Sequence, residues 1–370
     1  MSVSEYDTDS RVAPAGDDPI DPDALEAFAG QMVGVMSGAA ACFGVWLGDE
    51  LGLYRALAGN GPTSAEQLAE VTGCHPRLVR EWLDGQTAAG LLARHSDTDE
   101  YALPDVHAAV LAHEDSPAFM ARSMNSFGAM FIGFPKIVEA FLGDGALPWG
   151  EHSHHLFAGT EWFFRPGYRT FLATEWLPAL DGVVETLVAG GRVADVGCGH
   201  GASIVAMAQA FPEATFTGVD SHDGSVDVAR ARVVEAGVDA RVDLRVDTAT
   251  GYDGTHDLIC FFDCLHDMGD PVAALRHARE HLAEGGTVML VEPMALDDRD
   301  VNIAENPLAA LFYHASLALC VPNSLAQETG TALGAQAGER TLRRVLGEAG
   351  FTQVRQAAAT PTNIILEARP

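Results

Sequence analysis

Residues 192–203 constrain this chain more than any other part of its sequence. They read RVADVGCGHGAS, an apolar run that ends in three glycines. The residues that follow, 204–211, have the apolar spacing of a helix, so the glycines fall on a turn between a buried strand and a helix. Because glycine has no Cβ, the backbone of such a turn can approach a ligand closely, and the helix N-terminus offers free N–H groups. The pattern predicts that a flat, partly charged small molecule binds here.

Two acidic residues distinguish between the ligands that this turn could hold. The spacing Gly197-x-Gly199-x-x-Ala202 also fits the fingerprint of dinucleotide sites. However, Asp195 would repel a pyrophosphate, whereas it suits a ligand with an ammonium group. Asp220 ends the next apolar run, where it can accept hydrogen bonds from ribose hydroxyls. An ammonium and a ribose without a phosphate describe S-adenosylmethionine, and a nicotinamide dinucleotide is the alternative.

At this point the sequence resembles the class I methyltransferases that use S-adenosylmethionine, whose first motif is an acidic residue followed by G-x-G-x-G. It is also similar, from end to end, to mycobacterial methyltransferases with an N-terminal winged helix, and to plant-type small-molecule O-methyltransferases. The resemblance implies an α/β fold, with a doubly wound, Rossmann-like sheet that an antiparallel hairpin closes, and an N-terminal all-α/winged-helix domain. The implied cofactor-binding residues, among which Asp247 would contact the adenine amino group, are Asp195, Gly197, Cys198, Gly199, Gly201, Asp220, Ser221, Asp247, Thr248, Phe262 and Asp263.

The order of apolar segments predicts how the chain divides. From residue 183 onward strands and helices alternate, which is typical of a doubly wound parallel sheet. Runs at 354–357 and 363–367 fit the closing hairpin, which a plain dinucleotide domain does not need. We predict a disordered tail over 1–20, a winged-helix dimerisation domain over 21–115, a helical connector and lid over 116–182, and the S-adenosylmethionine-binding domain over 183–370.

Charge weighs against nucleic acid as a partner. Two helices and a hairpin within residues 63–103 form a winged-helix pattern, but the second helix carries Glu81 and Asp84 beside Arg77 and Arg80. The chain has a net charge of −30 and a single lysine, Lys136. Nucleic acid and anionic membranes are bound through clustered Lys and Arg, so this surface should repel both. We expect the winged helix to mediate a homodimer.

The N-terminal segment raises the question of a membrane. Residues 27–48 are free of charge and long enough to span a bilayer, but they are rich in Gly, Ala and Ser and lack flanking Lys or Arg. We expect a helix buried in a subunit interface. The acidic N-terminus does not have the form of a signal peptide, and the six cysteines show no C-x-x-C pair. These features predict free thiols in a cytoplasmic protein.

The chemistry of methyl transfer indicates what the site must contain. A sulfonium methyl is already activated, so the protein supplies proximity and, for a hydroxyl or thiol acceptor, a base. Imidazole suits that task near neutral pH, and His266 follows the fourth predicted strand. The segment Leu265-His266-Asp267-Met268 resembles the Leu-His-Asp-Trp segment that carries the base in plant-type O-methyltransferases. That resemblance implies two glutamates flanking the histidine, at Glu292 and Glu339. The lysine that precedes the histidine in that family is absent, with Phe262 or Asp263 in its place.

The acceptor does not follow from these residues. In the related enzymes the connecting region covers the site, which makes Phe164 and Tyr168 candidate lid residues, and Tyr313 and His314 could line the acceptor pocket or simply pack. Three histidines at 152–155 show no second ligand group at metal spacing, so we expect no metal there and interpret them as loop residues. The best interpretation is O-methylation of a small molecule. N-, S- or C-methylation on the same fold and a regulator that senses S-adenosylmethionine are the alternatives.

Overall fold

The computed structural model describes residues 20–370, so the predicted disordered tail lies, except for its last residue, outside the described part. The N-terminal part is built on one long helix, which Asp21 caps by accepting a hydrogen bond from the Asp23 N–H at 3.0 Å. The apolar pattern of the sequence predicts two helical segments here, 21–43 and 45–57, with a break near residue 44. The structure instead has one helix that is continuous to Glu50. The elements of this part are α1 (Pro22–Glu50), α2 (Leu53–Leu57), α3 (Ala65–Thr72), α4 (Pro76–Ala88), β1 (Ala93–His95), β2 (Glu100–Ala102) and α5 (Asp105–Leu111).

The winged-helix pattern forms as its local signals predict. Ser64 and Gln67 form a reciprocal capping box at the start of α3, and Gly73 ends that helix with a left-handed φ of 70°. β1 and β2 pair in antiparallel register as the wing. The helix and strand order is therefore the predicted one.

The connecting region is mostly helical. Its helices are α6 (Met124–Ile132), α7 (Phe134–Leu142) and α8 (His154–Gly167), and a π-helix over Tyr168–Trp176 continues α8. His154 and His155 open α8, so the interpretation of these histidines as loop residues was wrong for these two. Ser153 caps the helix by accepting a hydrogen bond from the His155 N–H.

The C-terminal part contains a seven-stranded sheet with strand order β5-β4-β3-β6-β7-β9-β8. Its first five strands in that order are parallel, and β9 runs antiparallel to both β7 and β8, which confirms the closing hairpin. The strands are β3 (Arg192–Val196), β4 (Thr215–Asp220), β5 (Val242–Val246), β6 (His256–Phe262), β7 (Leu282–Pro293), β8 (Gln353–Ala359) and β9 (Asn363–Arg369).

Helices cover both faces of this sheet. Ile204 and Met207 bury one helix against one face, while Leu275 and Leu342 bury two others against the opposite face. Because the central strands β3 and β6 are apolar on both faces, their charged side chains lie near the strand ends. The helices are α9 (Val183–Val188), α10 (Ala202–Ala210), α11 (Asp223–Glu235), α12 (Pro271–Glu280), α13 (Arg299–Glu305), α14 (Ala309–Ala318), α15 (Cys320–Leu325) and α16 (Gly338–Glu348).

Candidate active site

The glycine-rich turn joins β3 to α10 as predicted. Gly197, Gly199 and Gly201 have φ values of 77°, 50° and 75°, which side chains with a Cβ rarely adopt. A Cβ on Gly197 would lie 2.7 Å from the Sγ atom of Cys264, so glycine is also required there by packing. A Cβ on Gly199 would meet no protein atom within 4 Å. The turn is thus packed on its inner side and open toward a crevice.

The two aspartates of the sequence prediction have different positions. Asp220 lies at the end of β4 and accepts the backbone N–H groups of Gly199 and His222, both at 2.9 Å. Each of its oxygens keeps a lone pair for a ligand, because a carboxylate has about four acceptor sites. Asp195 is buried behind the turn, where one oxygen accepts the Ser203 hydroxyl at 2.5 Å. Its other oxygen has no hydrogen-bond partner, and burial raises the pKa of this carboxyl to about 7.

A crevice of about 520 Å³ opens at the carboxyl ends of β3, β4 and β6. This is where the ligands of doubly wound sheets bind. The residues of this crevice include most of the predicted cofactor set and both predicted lid residues, namely Phe164, Tyr168, Gly197, Cys198, Gly199, Asp220, Ser221, Asp247, Thr248, Phe262 and Asp263. Among the predicted cofactor residues, Asp195 and Gly201 lie behind this surface.

Asp263 projects into the crevice from a strained position. It follows β6 with a φ of 51°, which is uncommon for a residue with a Cβ. Its carboxylate accepts the Tyr168 hydroxyl at 3.2 Å and the Asn363 amide at 2.5 Å. Burial, followed by the nearby charge of Glu292, raises the pKa of Asp263 well above its usual value. The structure therefore holds an acidic group, supported by neutral donors, beside the glycine turn.

His266 lies in a 3₁₀ turn over Leu265–Asp267 and is almost fully buried. Its Nδ1 atom is hydrogen-bonded to the carboxylate of Glu292, which also accepts the Leu265 N–H at 3.0 Å. On the other side of the ring, Nε2 lies 3.2 Å from Oδ1 of Asp267. Burial lowers the pKa of His266, but the charges of Glu292 and Asp267 outweigh this effect, and the pKa rises well above its usual value.

Asp267 provides the connection between this ring and the crevice. Its side chain lines the crevice, whereas the ring of His266 lies behind it. The Oδ1 atom that faces the ring has no aligned hydrogen-bond donor. Cys320 also lies nearby, since its Sγ atom, a ring nitrogen of His266 and an oxygen of Asp267 lie within 4.8 Å of one another. Burial, followed by the charge of Asp267, raises the pKa of the Cys320 thiol to about 12, so this sulfur is a neutral neighbour.

Three predicted site residues lie elsewhere. Glu339, in the first turn of α16, is ion-paired with Arg343 at 2.5 Å, and the structure does not bring it to His266. Tyr313 lines a separate cavity and is hydrogen-bonded to Asn302 at 3.4 Å. His314 is exposed at the edge of an apolar groove. None of these three side chains lines the crevice, and their predicted roles remain predictions.

Two residues of the site, Asn363 and Asp267, were not predicted from the sequence as functional residues. Asn363 supports Asp263 although 100 residues separate them, and only the pairing of β7 with β9 brings them together. Asp267 was seen only as part of a motif. Its proximity to the crevice depends on α15, where Asn323 donates to the Asp267 carbonyl at 3.1 Å. The order of residues along the chain carries no signal for either contact.

Comparison with known proteins places this geometry in a family. Residues 168–356 match the model of the methyltransferase domain, and residues 39–113 match that of the Rv2258c-like winged HTH domain. The ubiquinone biosynthesis O-methyltransferase of Bordetella avium is 35% identical over 121 residues, which are 32% of this chain and 47% of that protein. The chain thus spans about half of the length of the curated relatives that it matches.

Solved structures resemble the whole described fold. The mitomycin 7-O-methyltransferase MmcR superposes with a TM-score of 0.67 at 20% identity, covering 94% of this chain and 100% of that chain. The O-methyltransferase NcsB1 from neocarzinostatin biosynthesis, in complex with S-adenosylmethionine and 2-hydroxy-5-methyl naphthoic acid, superposes with a TM-score of 0.57 at 20% identity, over 89% and 96% of the two chains. At this identity the likeness shows the fold.

The family match covers the strands and turns that build the crevice. The predicted fold class and cofactor are thereby confirmed. Since the matched segment is more than half of the chain, this protein belongs to the methyltransferase domain family, and it carries an N-terminal Rv2258c-like winged HTH domain.

Proposed function

We propose that this chain transfers the methyl group of S-adenosylmethionine to a hydroxyl oxygen of a small molecule, with His266 and Asp267 receiving the hydroxyl proton. The observation that carries this proposal is the chain of contacts from the crevice inward. Asp267 lines the crevice, His266 lies directly behind it, and Glu292 holds the far side of the ring. N-, S- or C-methylation has no comparable need for such a proton acceptor.

The residues at the glycine turn fit the cofactor. The cofactor, when bound, supplies an activated methyl on a sulfonium. Asp220 keeps free lone pairs for ribose hydroxyls, and Asp247 and Thr248, which also line the crevice, would contact the adenine. Asp263 lines the crevice, and the next residue, Cys264, packs on Gly197 of the glycine turn. Asp263 is therefore a better partner for the ammonium of the cofactor than Asp195, because Asp195 does not reach the crevice surface.

The hydrogen bonds of His266 determine how the proton is held. An ionised Glu292 accepts from Nδ1–H, so the lone pair of a neutral ring is on Nε2 and faces Asp267. A proton that leaves the acceptor hydroxyl is then shared by Asp267 and Nε2, and the resulting imidazolium lies between two carboxylates. Because these charges raise the pKa of His266, the pair accepts a proton readily but must be deprotonated before each turnover.

The lining of the crevice favours a small aromatic acceptor. Trp149 and Phe157 pack with their rings 5.4 Å apart, and Phe164 stacks on Tyr168 at 6.3 Å. All four side chains line the crevice. Flat apolar surfaces of this kind suit ring-shaped ligands. The acceptors in the names of MmcR and NcsB1 are small molecules of the same general kind, which supports the proposal.

We further propose that the protein is a cytoplasmic homodimer assembled through α1. This helix is long and apolar enough to cross a membrane by length and composition, and only 11% of its most apolar window is buried. Phe28 and Met36 are among its exposed side chains. A second copy of the chain would cover this surface. The winged helix supports dimerisation over DNA binding, because Arg77 is paired with Glu81, and Arg80 with Glu66 and Asp99.

The proposal is tested by methyl transfer and cofactor binding measured together. The protein is incubated with methyl-labelled S-adenosylmethionine and a metabolite extract, and the labelled product is identified by mass spectrometry. His266→Gln should lose most turnover yet keep its affinity for S-adenosylmethionine in calorimetry, because the buried ring does not line the crevice. An unchanged rate in this variant, or a product methylated on carbon, sulfur or nitrogen, would contradict the proposed reaction.

A further inference from the structure

His266, Asp267 and Cys320 form a cluster of metal-ligating side chains beside the crevice. One ring nitrogen, one carboxylate oxygen and the Sγ atom, each from a different residue, lie within 4.8 Å of one another. No other three Cys, His, Asp or Glu side chains in residues 20–370 bring their donor atoms together in this way. The proposed proton transfer uses the ring and the carboxylate, but it gives the thiol no role.

The polar atoms of this cluster do not satisfy one another. Oδ1 of Asp267 is buried and has no hydrogen-bond partner among the described residues. Nε2 of His266 lies 3.2 Å from it but is not aligned to donate to it. A buried oxygen without a partner is unfavourable, and in folded proteins it often marks the place of an ion or a water molecule. The space between these donors therefore suits a bound group.

Glu292 orients the ring as it would be oriented in a metal site. Its carboxylate is hydrogen-bonded to Nδ1 of His266, so Nε2 is the nitrogen that remains for a metal. A histidine that binds a metal through one nitrogen usually donates the other N–H to a carboxylate or a carbonyl, which fixes the ring and strengthens the ligand. The proposed base requires the same ring orientation, so one arrangement serves both roles.

The chemistry of the three donors selects the kind of metal. Sulfur, imidazole nitrogen and carboxylate oxygen are the usual ligands of Zn²⁺, whereas Mg²⁺ and Ca²⁺ take oxygen ligands. Zinc binds such donors at about 2.0–2.3 Å, so in a tetrahedral site the donors lie about 3.3–3.6 Å from one another. Since the three donor atoms already lie within 4.8 Å of one another, side-chain movements of about 1 Å bring them to one ion.

The site is open to the crevice on one side. Asp267 lines the crevice, while His266 and Cys320 are buried behind it. The carbonyl of Asp267 accepts the amides of Asn323 and Gln327, at 3.1 and 3.0 Å, which holds the turn that carries the ring. An ion can therefore enter past the Asp267 side chain, and its fourth coordination position faces the crevice.

The exchange of protons for the ion leaves the net charge of the cluster unchanged. In the chain without metal, the raised pKa of His266 favours the imidazolium, and the raised pKa of Cys320 keeps its thiol neutral. Zn²⁺ displaces one proton from Nε2 and one from Sγ, and both protons leave to solvent. Two positive charges thus replace two others, so the buried site gains no net charge on binding.

We infer that His266, Asp267 and Cys320 form a binding site for Zn²⁺ at the inner side of the crevice, and that the bound ion blocks methyl transfer. The ion takes the Nε2 lone pair and the Oδ1 atom that would otherwise receive the hydroxyl proton of the acceptor. The blocking role rests on the proposed function, whereas the coordination of the ion depends only on the three side chains.

Binding is tested by calorimetry with ZnCl₂ on the full chain after treatment with a chelator. We expect one Zn²⁺ per chain, and no binding of Mg²⁺ at the same concentrations. Cys320→Ser should weaken the affinity for Zn²⁺ at least about tenfold, because even the loss of an outer contact to a metal ligand costs that much. Cys74→Ser is the matched control, since Cys74 is a partly buried thiol of the winged-helix domain outside the crevice, and it should leave the affinity unchanged.

Cobalt provides a measurement that depends on the sulfur itself. Co²⁺ in place of Zn²⁺ should give a thiolate-to-cobalt charge-transfer band in the wild type and in Cys74→Ser, but not in Cys320→Ser. If Cys320→Ser does not fold, Cys320→Ala provides the same comparison. Equal affinity of the wild type and the Cys320 variant for Zn²⁺, or absence of the band from the wild type, would overturn the inference.

The blocking role is tested with methyl-labelled S-adenosylmethionine and the acceptor isolated from the metabolite extract, at free Zn²⁺ concentrations set by a chelator. The wild-type rate should fall as the site fills, and Cys320→Ser should need at least about tenfold more Zn²⁺ for the same fractional loss. A wild-type rate that stays constant while Zn²⁺ binds would overturn the inference without affecting the proposed function. No methyl transfer in the absence of Zn²⁺ would instead overturn the proposed function, and the blocking role would fall with it. Loss of the cobalt band in Cys320→Ser would still support the metal site in that case.

Discussion

Replacement of Glu292 by glutamine tests the arrangement around His266 most directly. The carboxylate is 2% exposed and holds both the Leu265 N–H and the Nδ1 side of the ring. Glutamine has nearly the same shape and keeps an acceptor for the Leu265 N–H. It removes the negative charge that stabilises the imidazolium, so the change isolates charge from packing.

The size of the expected losses in stability and rate depends on the charges that remain beside His266 after the substitution. Breaking a buried ion pair costs about 3–5 kcal/mol when the remaining charge is uncompensated. Here Asp267 still lies 3.2 Å from Nε2, so the ring keeps one carboxylate. We therefore expect a loss of about 1–3 kcal/mol in the free energy of unfolding at a pH at which the ring is charged. The methyl-transfer rate should fall about 100-fold, the lower end of general-base contributions.

The effect on stability should depend on pH with a defined sign. The pKa of His266 is raised in the folded chain, so its stabilising contribution is complete below the unfolded pKa and is lost as the pH rises through the folded value. Denaturant unfolding should therefore show a larger deficit for Glu292→Gln at about pH 6 than at about pH 9.

Glu339→Gln is the matched control for this experiment. Both glutamates are expected from the sequence to flank the histidine, but Glu339 is partly exposed and paired with Arg343 in the same helix. Such pairs within one helix contribute about 0.3–0.5 kcal/mol to the free energy of unfolding. The methyl-transfer rate of Glu339→Gln should therefore equal that of the wild type. The structural assignment is refuted if Glu339→Gln impairs turnover as strongly as Glu292→Gln, or if Glu292→Gln retains full activity.

Four other predictions follow from the same contacts. The value of kcat/KM should rise with pH through an apparent pKa above 6.5, because the proposed base, His266, is active only when deprotonated and its pKa is raised; a profile that is flat from neutral to alkaline pH would contradict this. Asp220→Asn should weaken S-adenosylmethionine binding about tenfold or more in calorimetry, since it alters the acceptor for the Gly199 N–H, and wild-type affinity would count against the cofactor position. The free energy of unfolding of the wild type should fall relative to that of Asp195→Asn as the pH rises from the usual aspartate pKa toward about 7, because over this range the unfolded chain loses the proton that the folded chain keeps on the buried carboxyl; parallel pH curves for the two proteins would exclude this. Met36→Asp in the exposed face of α1 should convert the dimer to monomer in analytical ultracentrifugation, whereas a wild-type chain that is already monomeric would remove the dimer proposal.

Much of the fold could be predicted because its signals are local. The capping box at Ser64 and the glycines at 197–201 each specify a backbone conformation that few other residues adopt. The nearly continuous apolar runs at 192–196 and 258–262 indicate strands that are buried on both faces of a parallel sheet. The break predicted in α1 was wrong, because Gly44 packs against Gln86 within the helix rather than ending it.

Only part of the candidate site could be predicted from the sequence. Residues at the ends of parallel strands, such as Asp220 and Asp263, could be predicted to line the crevice, because those strand ends lie at one edge of the sheet. The positions of residues on the surrounding helices could not be predicted. The rotation of α14 about its axis determines whether Tyr313 meets the cofactor crevice or another cavity, and an apolar helix does not encode that rotation by itself.

The amino-acid sequence by itself determined the strand-turn-helix unit that borders the crevice, because glycine conformations and strand-end carboxylates are properties of short segments. Only the tertiary structure decided that Glu292, and not Glu339, holds His266, and that Asp267 lies between this ring and the crevice. The physical reason is that these contacts join segments from 26 residues apart, as in His266 and Glu292, to 100 apart, as in Asp263 and Asn363, and they form only when the whole sheet is assembled.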